Sequence, residues 1–221
     1  MSDVTRRKFL SAAAGSTALV VLKPSGLFAA QKKFEILPSP STDGSKSLMS
    51  ALKNRKSTRS FSNKPLPQQV LSDLLWAAFG VNRPETGDRT APSPMSSQEI
   101  EIYVVTAKGL YLYDARFHQL VQLSTEDIRS YCGTQGFVAH APLNLIYVAD
   151  FSKLGNKNDD KKMFYSAADT GFISQNVYLF CAAFGLGTVV RDWIDRSSLA
   201  VKINLREDQR IILAQSVGYP K

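Results

Sequence analysis

Residues 46–221 are predicted to form an α+β domain, with helices and strands interleaved and packed in layers. Two helical patterns carry that prediction. Val70, Leu71, Leu74, Leu75 and Ala78 recur three or four apart, and so do Phe164, Ala168, Gly171, Phe172, Gln175, Tyr178, Leu179 and Ala182. The third observation is the apolar run Leu143–Ala149, bounded by Pro142 and Asp150, which reads as a central strand. Elements of both kinds in mixed order give a layered α+β architecture.

Taken in order, residues 31–45 hold Pro38, Pro40, Gly44 and several serines and are expected to form an extended arm. Leu48, Met49, Ala51 and Leu52 predict a short amphipathic helix ending near Asn54. Pro65 and Pro67 open a second helix, and Gly80 closes it. Residues 81–98 contain three prolines and Gly87, a long turn-rich loop of the kind that often serves function. Ile100–Thr106 and Leu110–Tyr113 pair as a hairpin through Lys108-Gly109, and a short helix capped by Ser124 or Thr125 is expected over Thr125–Tyr131. The polar stretch Lys153–Lys162 reads as a surface loop. The helix after it ends at Gly185 and Gly187, and Ile211–Val217 is the last strand. Thr170–Val190 carries no charge, but Ser174, Gln175, Asn176 and its glycines favour a buried or interface helix over a membrane span.

The 221 residues are 44% hydrophobic and 21% charged, within the range of globular proteins and unlike disordered or collagenous chains. Arg6, Arg7, Lys8 and Lys23 against Asp3 contribute three of the eight net positive charges. The remaining cations are scattered among acids, as in Asp159-Asp160-Lys161-Lys162, which describes a solvated surface rather than a nucleic-acid patch. Two cysteines, Cys132 and Cys181, and two histidines, His118 and His140, lack metal-ligand spacing, so no metal site is expected. Cys181 lies in an apolar helical run and is expected to be buried. His118 is expected at the surface of a hairpin and His140 in a loop.

Thr5-Arg6-Arg7-Lys8-Phe9-Leu10 is a twin-arginine motif. A mild uncharged stretch to Leu22 follows, then Lys23, Pro24 and Gly26, with Ala29 and Ala30 at a cleavage point. Residues 1–30 are therefore expected to be an export signal, which implies a periplasmic or extracytoplasmic location.

Three segments stand out chemically. In an extended conformation Arg55, Ser57 and Arg59 share one face, and two guanidinium groups with a hydroxyl suit a phosphate. Arg89–Gln98 places hydroxyls and an amide on a Pro-restricted loop, able to bond a polar ring edge. Gly185-Leu186-Gly187 ends a helix and permits close approach of a planar ligand, but it does not fit a dinucleotide fingerprint, because it follows a helix rather than opening one.

These segments, in this order, resemble the FMN-dependent nitroreductases: Leu48–Phe61, the helix containing Leu74-Leu75-Trp76-Ala77-Ala78, Arg89–Val105, Asp169–Val189 and the closing Val217-Gly218-Tyr219-Pro220. The likeness is strongest to the branch that includes the peptide thiazoline and oxazoline dehydrogenases. The resemblance implies a mixed sheet flanked by helices and an intertwined homodimer with FMN at the subunit interface. Arg55, Ser57 and Arg59 match the positions that hold the FMN phosphate and ribityl chain. Pro92, Ser93 and Ser96 match the loop that reaches the isoalloxazine ring from the partner subunit. Gly187, Thr188, Val189 and Arg191 match the segment packed against the rest of the ring. Many relatives have Asn in place of Ser96, and many continue to a further basic residue beyond the Gly-Tyr-Pro segment. The implied reaction is ping-pong transfer of a hydride through FMN N5 to a nitro compound, quinone or similar small acceptor, with NAD(P)H as a donor. A dehydrogenase or oxidase of a small molecule or peptide ring, and a non-enzymatic flavin-binding redox protein, are the competing expectations.

Overall fold

A computed structural model describes residues 33–43 and 46–221. The expected export signal, residues 1–30, lies outside the described residues, as do residues 31–32 and 44–45 of the arm. The fold is α+β as expected: four α-helices and a seven-stranded sheet. The strands are β1 (Lys33–Ile36), β4 (Ile100–Thr106), β5 (Gly109–Asp114), β6 (Gln119–Ser124), β7 (Leu143–Asp150), β8 (Gly187–Arg191) and β9 (Gln209–Gly218), in the order β1-β6-β5-β4-β7-β9-β8. A separate ribbon pairs β2 (Val81–Arg83) with β3 (Asp88–Arg89) inside the long loop. The expected mixed sheet is antiparallel between all its strands. The one parallel contact among the described residues is an isolated bridge from Ser57 to Thr188.

All eight residues of β7 are buried. Leu145 and Tyr147 point into a core with Leu74, Leu75, Ile173 and Val177, while Ile146 and Val148 join Leu199, Ile203 and Ile211 on the other face. Alternate side chains of a strand face opposite sides, so a strand between two cores reads as a mostly apolar run, which in β7 is interrupted by the buried Asn144. The buried face of the first core comes from α2 (Gln68–Phe79) and α3 (Asp159–Phe184), and α4 (Arg196–Lys202) covers the second.

The helix ends follow local chemistry. Ser47 caps α1 (Leu48–Asn54) by accepting from the Ser50 amide at 3.1 Å. α3 begins at Asp159, inside the stretch expected to be a loop. Asn158 Oδ1 accepts from the Lys161 amide at 2.9 Å, and Asp159 and Asp160 sit where the helix dipole favours acids. Gly185 ends α3 in the left-handed region at φ 71°, with its N–H donating to Cys181 O. No helix of the described residues is long and apolar enough to cross a membrane.

The expected helix over Thr125–Tyr131 is only a 3-10 turn at Arg129–Tyr131. Ser124 Oγ accepts from the Glu126 amide, and Asp127 Oδ1 from the Arg129 amide, each at 3.1 Å. These bonds to amides two residues on favour a turn over a helix. The arm contains a strand, because β1 pairs with β6. His118 fastens the arm and is half-buried rather than a plain surface residue. Its carbonyl accepts from the Leu37 amide, its Nε2 lies 2.7 Å from Ser72 Oγ, and its Nδ1 lies 2.9 Å from Tyr113 Oη. Ser72 Oγ donates to Pro38 O, so it accepts from His118 Nε2 and Tyr113 donates to Nδ1. Burial lowers the His118 pKa, which favours this neutral tautomer.

Candidate functional site

The Arg55–Arg59 segment lies against β8. The Thr58 amide donates to Thr188 O at 2.9 Å, extending the Ser57–Thr188 bridge. Gly187 permits this approach, since a Cβ there would meet Thr58 Cγ2 at 2.8 Å. The Arg55–Arg59 segment and the glycine segment, 130 residues apart in the chain, thus form one surface.

Tyr178 of α3 joins them, and the sequence patterns did not single it out as a site residue. Its hydroxyl accepts from the Val190 amide at 3.0 Å and bonds Ser57 Oγ at 2.9 Å. The Arg55 guanidinium carbon lies 5.2 Å from the centre of the Tyr178 ring, within cation–π range. Arg59 and Ser57 are exposed and Arg55 is half-buried. Among the described residues neither Arg55 nor Arg59 forms a salt bridge. Arg59 lines a cavity of about 330 Å³ with Phe61, Phe137, His140 and Lys221. Two guanidinium groups without a salt bridge among the described residues, on either side of a hydroxyl in the chain, are suited to an anion with several acceptor oxygens.

The structure changes the part taken by β8. Gly187 makes the close approach, but Thr188 and Arg191 turn their polar groups inward. Thr188 Oγ1 donates to Ser216 O at 2.8 Å and accepts from Gln215 Nε2 at 3.0 Å. Arg191 is only 5% exposed and donates to Cys132 O, Asn144 Oδ1 and Ser216 Oγ. Burial pulls its pKa down to about 10, yet leaves it charged at neutral pH. The Arg191 guanidinium therefore closes an interior network instead of facing outward from β8. Val189 is buried against Phe61 and Ala141. Of the five β8 residues only Val190 is partly exposed.

Pro92, Ser93 and Ser96 lie on the expected loop, which is held by its own polar groups. Ser93 Oγ accepts from the Gln98 amide at 3.0 Å, and Ser96 Oγ donates to Asp88 Oδ1 at 3.3 Å. Met95, Ser96 and Gln98 take positive φ of 53°, 52° and 47°. Three non-glycine residues in the left-handed region within four positions store strain, a feature concentrated at ligand-binding loops.

This loop meets α3 on another face. Asn176 Nδ2 reaches Ala78 O and Thr90 O at 3.5 and 3.4 Å. Positions 176 and 178 of a helix differ in direction by roughly 200°. The loop and the Arg55–Tyr178–β8 surface therefore flank α3 on opposite sides of one chain. Between them the helix exposes Phe164 and Phe172, and α1 exposes Leu48, Met49 and Leu52. Cys132 and Cys181 are both free and buried, as expected for Cys181, and burial pushes the Cys132 thiol up to about 12, so both are protonated and inert.

A cavity of about 520 Å³ elsewhere, beside α4 and β9, contains Arg196, Arg206 and Arg210. Its arginines are engaged: Arg196 with Ile211 O, Ile212 O and Asp192, and Arg206 with Asp150 and Asp208. It shares no residue with the three segments above.

Comparison with known proteins identifies the family. The sequence profile of the nitroreductase family matches residues 52–219. A protein of Methanocaldococcus jannaschii named as a nitroreductase is 33% identical over 152 residues, covering 64% of this chain and 76% of that protein. The crystal structure of a protein from Ralstonia eutropha, described as a nitroreductase, is 44% identical with a TM-score of 0.81, covering 85% of this chain and 90% of the other. The NADPH:FMN oxidoreductase of Vibrio harveyi, solved with NAD+, shares the fold at 18% identity and a TM-score of 0.59, covering 79% of this chain and 69% of the other. From the matched span and the shared fold, the chain belongs to the nitroreductase family.

Proposed function

We propose that this protein is an exported, FMN-dependent oxidoreductase that works as a homodimer and passes electrons to a small organic acceptor. One observation carries the reading: Arg55 and Arg59, which form no salt bridge among the described residues, flank Ser57 on a segment bonded directly to the glycine-bearing strand β8. That donor set fits a phosphate dianion, and the neighbouring backbone surface fits a flat ring. The Vibrio harveyi fold relative is an FMN oxidoreductase by name, in keeping with this assignment.

Arg55, Ser57 and Arg59 hold the phosphate end, Tyr178 keeps Ser57 and the backbone of β8 in register, and Gly187 leaves room for the ring. The opposite placement of the 92–98 loop argues for two chains, with Pro92, Ser93 and Ser96 of one chain completing the site of the other. The exposed apolar residues of α1 and α3 are the surface such a dimer covers. When bound, FMN supplies the hydride chemistry, with NAD(P)H as the reductant in vitro. No side chain acts as a nucleophile. The twin-arginine segment directs the folded, cofactor-loaded protein out of the cytoplasm.

The visible spectrum of the purified protein, titrated with FMN, tests this. Flavin bands approaching one FMN per chain are expected. In Arg55→Ala/Arg59→Ala, each lost charge-assisted bond costs about 1.5–3 kcal/mol, and flavin retention disappears. A double variant that purifies with full flavin overturns the assignment. Bleaching by NADH, followed by reoxidation with a nitro compound or with oxygen, separates a reductase from an oxidase.

A further inference from the structure

Where the 92–98 loop runs into β4, a carboxylate is buried. Glu99 is 0% exposed, and its Oε2 accepts from Ser97 Oγ at 2.8 Å. Asp169, on the inward face of α3, is 3% exposed and lies beside it. Among the described residues Glu99 Oε1 and Asp169 Oδ2 have no hydrogen-bond partner, and neither have the buried hydroxyls of Ser166 and Thr170 on the same stretch of α3. Neither acid has a cationic partner among the described residues. Lys153 pairs with Glu101 and Asp150, and Arg206 with Asp150 and Asp208. Arg89 lies over the Phe79 ring, Lys162 over Phe151 and Lys161 over Tyr165. Two adjacent buried carboxylates without a counter-ion do not both ionise at modest cost.

We propose that Glu99 and Asp169 share one proton, and that this proton ties the end of the 92–98 loop to α3 and so positions the loop for its ligand. Half-protonated, one acid donates to the other, and the two orphaned oxygens satisfy each other. The loop just before them is strained at Met95, Ser96 and Gln98, so its shape depends on a firm attachment at this end. When the second proton leaves, two negative charges face each other in the core and the attachment weakens. Burial and the neighbouring Glu99 charge push Asp169 up to about 7, which places the change near neutrality. Glu99 and Asp169 are positioning residues, too deeply buried to touch a substrate. Their effect on cofactor binding rests on the assignment of the loop made above.

The test uses the full chain freed of flavin. Hydrogen exchange of the amides of Ser93 and residues 95–98, corrected for intrinsic base catalysis, is followed from about pH 6 to about pH 8.5, a range that spans the shared titration. Protection is expected to fall about tenfold or more across that range in the native sequence. It should stay nearly constant in Asp169→Asn, whose amide donates to Glu99 at every pH. Glu99→Gln serves as a second variant should the first fold poorly. A flat profile in the native protein, or an Asn variant that follows it, overturns the shared proton. So does protection that rises with added Ca²⁺ or Mg²⁺ and falls with chelator, because a cation then holds the two carboxylates. FMN dissociation constants at the same pH values separate this inference from the cofactor reading. Weakening of FMN in step with the loop supports both. A loop that loosens while FMN affinity is unchanged keeps the shared proton and removes the loop from the flavin site.

Discussion

The two flanks of α3 are built on opposite principles. On the Tyr178 flank the polar groups are satisfied: Tyr178 bonds Ser57 and Val190, Thr188 bonds Ser216 and Gln215, and Arg191 has three acceptors. On the Glu99–Asp169 flank buried oxygens lack partners, and the adjoining loop holds three residues at positive φ. A buried polar network with every donor and acceptor matched rigidifies what it joins, whereas an unmatched one is conditional on something else. On the proposed reading, the half of the site facing β8 is preset by matched hydrogen bonds, and the half belonging to the loop depends on the shared proton.

The sharpest way to break the comparison is on the satisfied flank. Replacing Arg191 with Met leaves Asn144, Ser216 and Cys132 O short of donors in the core, and is expected to destabilise the fold by about 3–5 kcal/mol. Urea denaturation measures this, and a loss within about 0.5 kcal/mol shows that the network contributes nothing net. Tyr178→Phe keeps the ring under Arg55 but strips both bonds of the hydroxyl. We expect a cost of about 1–3 kcal/mol and FMN affinity weakened about tenfold, read by flavin fluorescence titration. Unchanged affinity means that Tyr178 is only a core residue.

On the unsatisfied flank the expected signature is pH dependence. The Asp169 pKa is raised above its ordinary 3.8, so between about pH 4 and 7 the native state keeps a proton that the unfolded chain has released. The stability this group contributes is therefore fully present below about pH 4, falls as pH rises, and is gone above about 7. Unfolding free energies of the native protein and of Asp169→Asn should converge at low pH and diverge toward alkaline pH; parallel curves remove the asymmetry between the flanks. The smallest effect belongs to a control on the same helix. Asn158→Ala deletes the cap of α3 at a distance from both flanks and should cost about 1 kcal/mol with no change in pH profile or FMN affinity.

Much of this fold is legible in the linear pattern. The buried run of β7 and the spacing of α2 and α3 are written in apolar periodicity, and Gly185 marks the end of α3. β6 and β8 are less visible. Gln119–Ser124 pairs with an arm that reads as irregular, and the glycines that open β8 resemble a helix stop. α4 is short and depends on the Asp195 cap and the packing of Leu199. Arg191 shows the same boundary within the site. A lone arginine after a glycine segment looks ligand-facing until Asn144, Ser216 and Cys132, all distant in sequence, gather around it.

By itself the sequence determines the α+β class and the family, because these depend on local periodicity and on the order of residue motifs. Only the tertiary structure decides that Tyr178 bonds Ser57 to β8, that Arg191 turns inward, and that Glu99 meets Asp169. Each of those depends on side chains brought together from distant parts of the chain, and on burial that alters what a charged or hydrogen-bonding group costs.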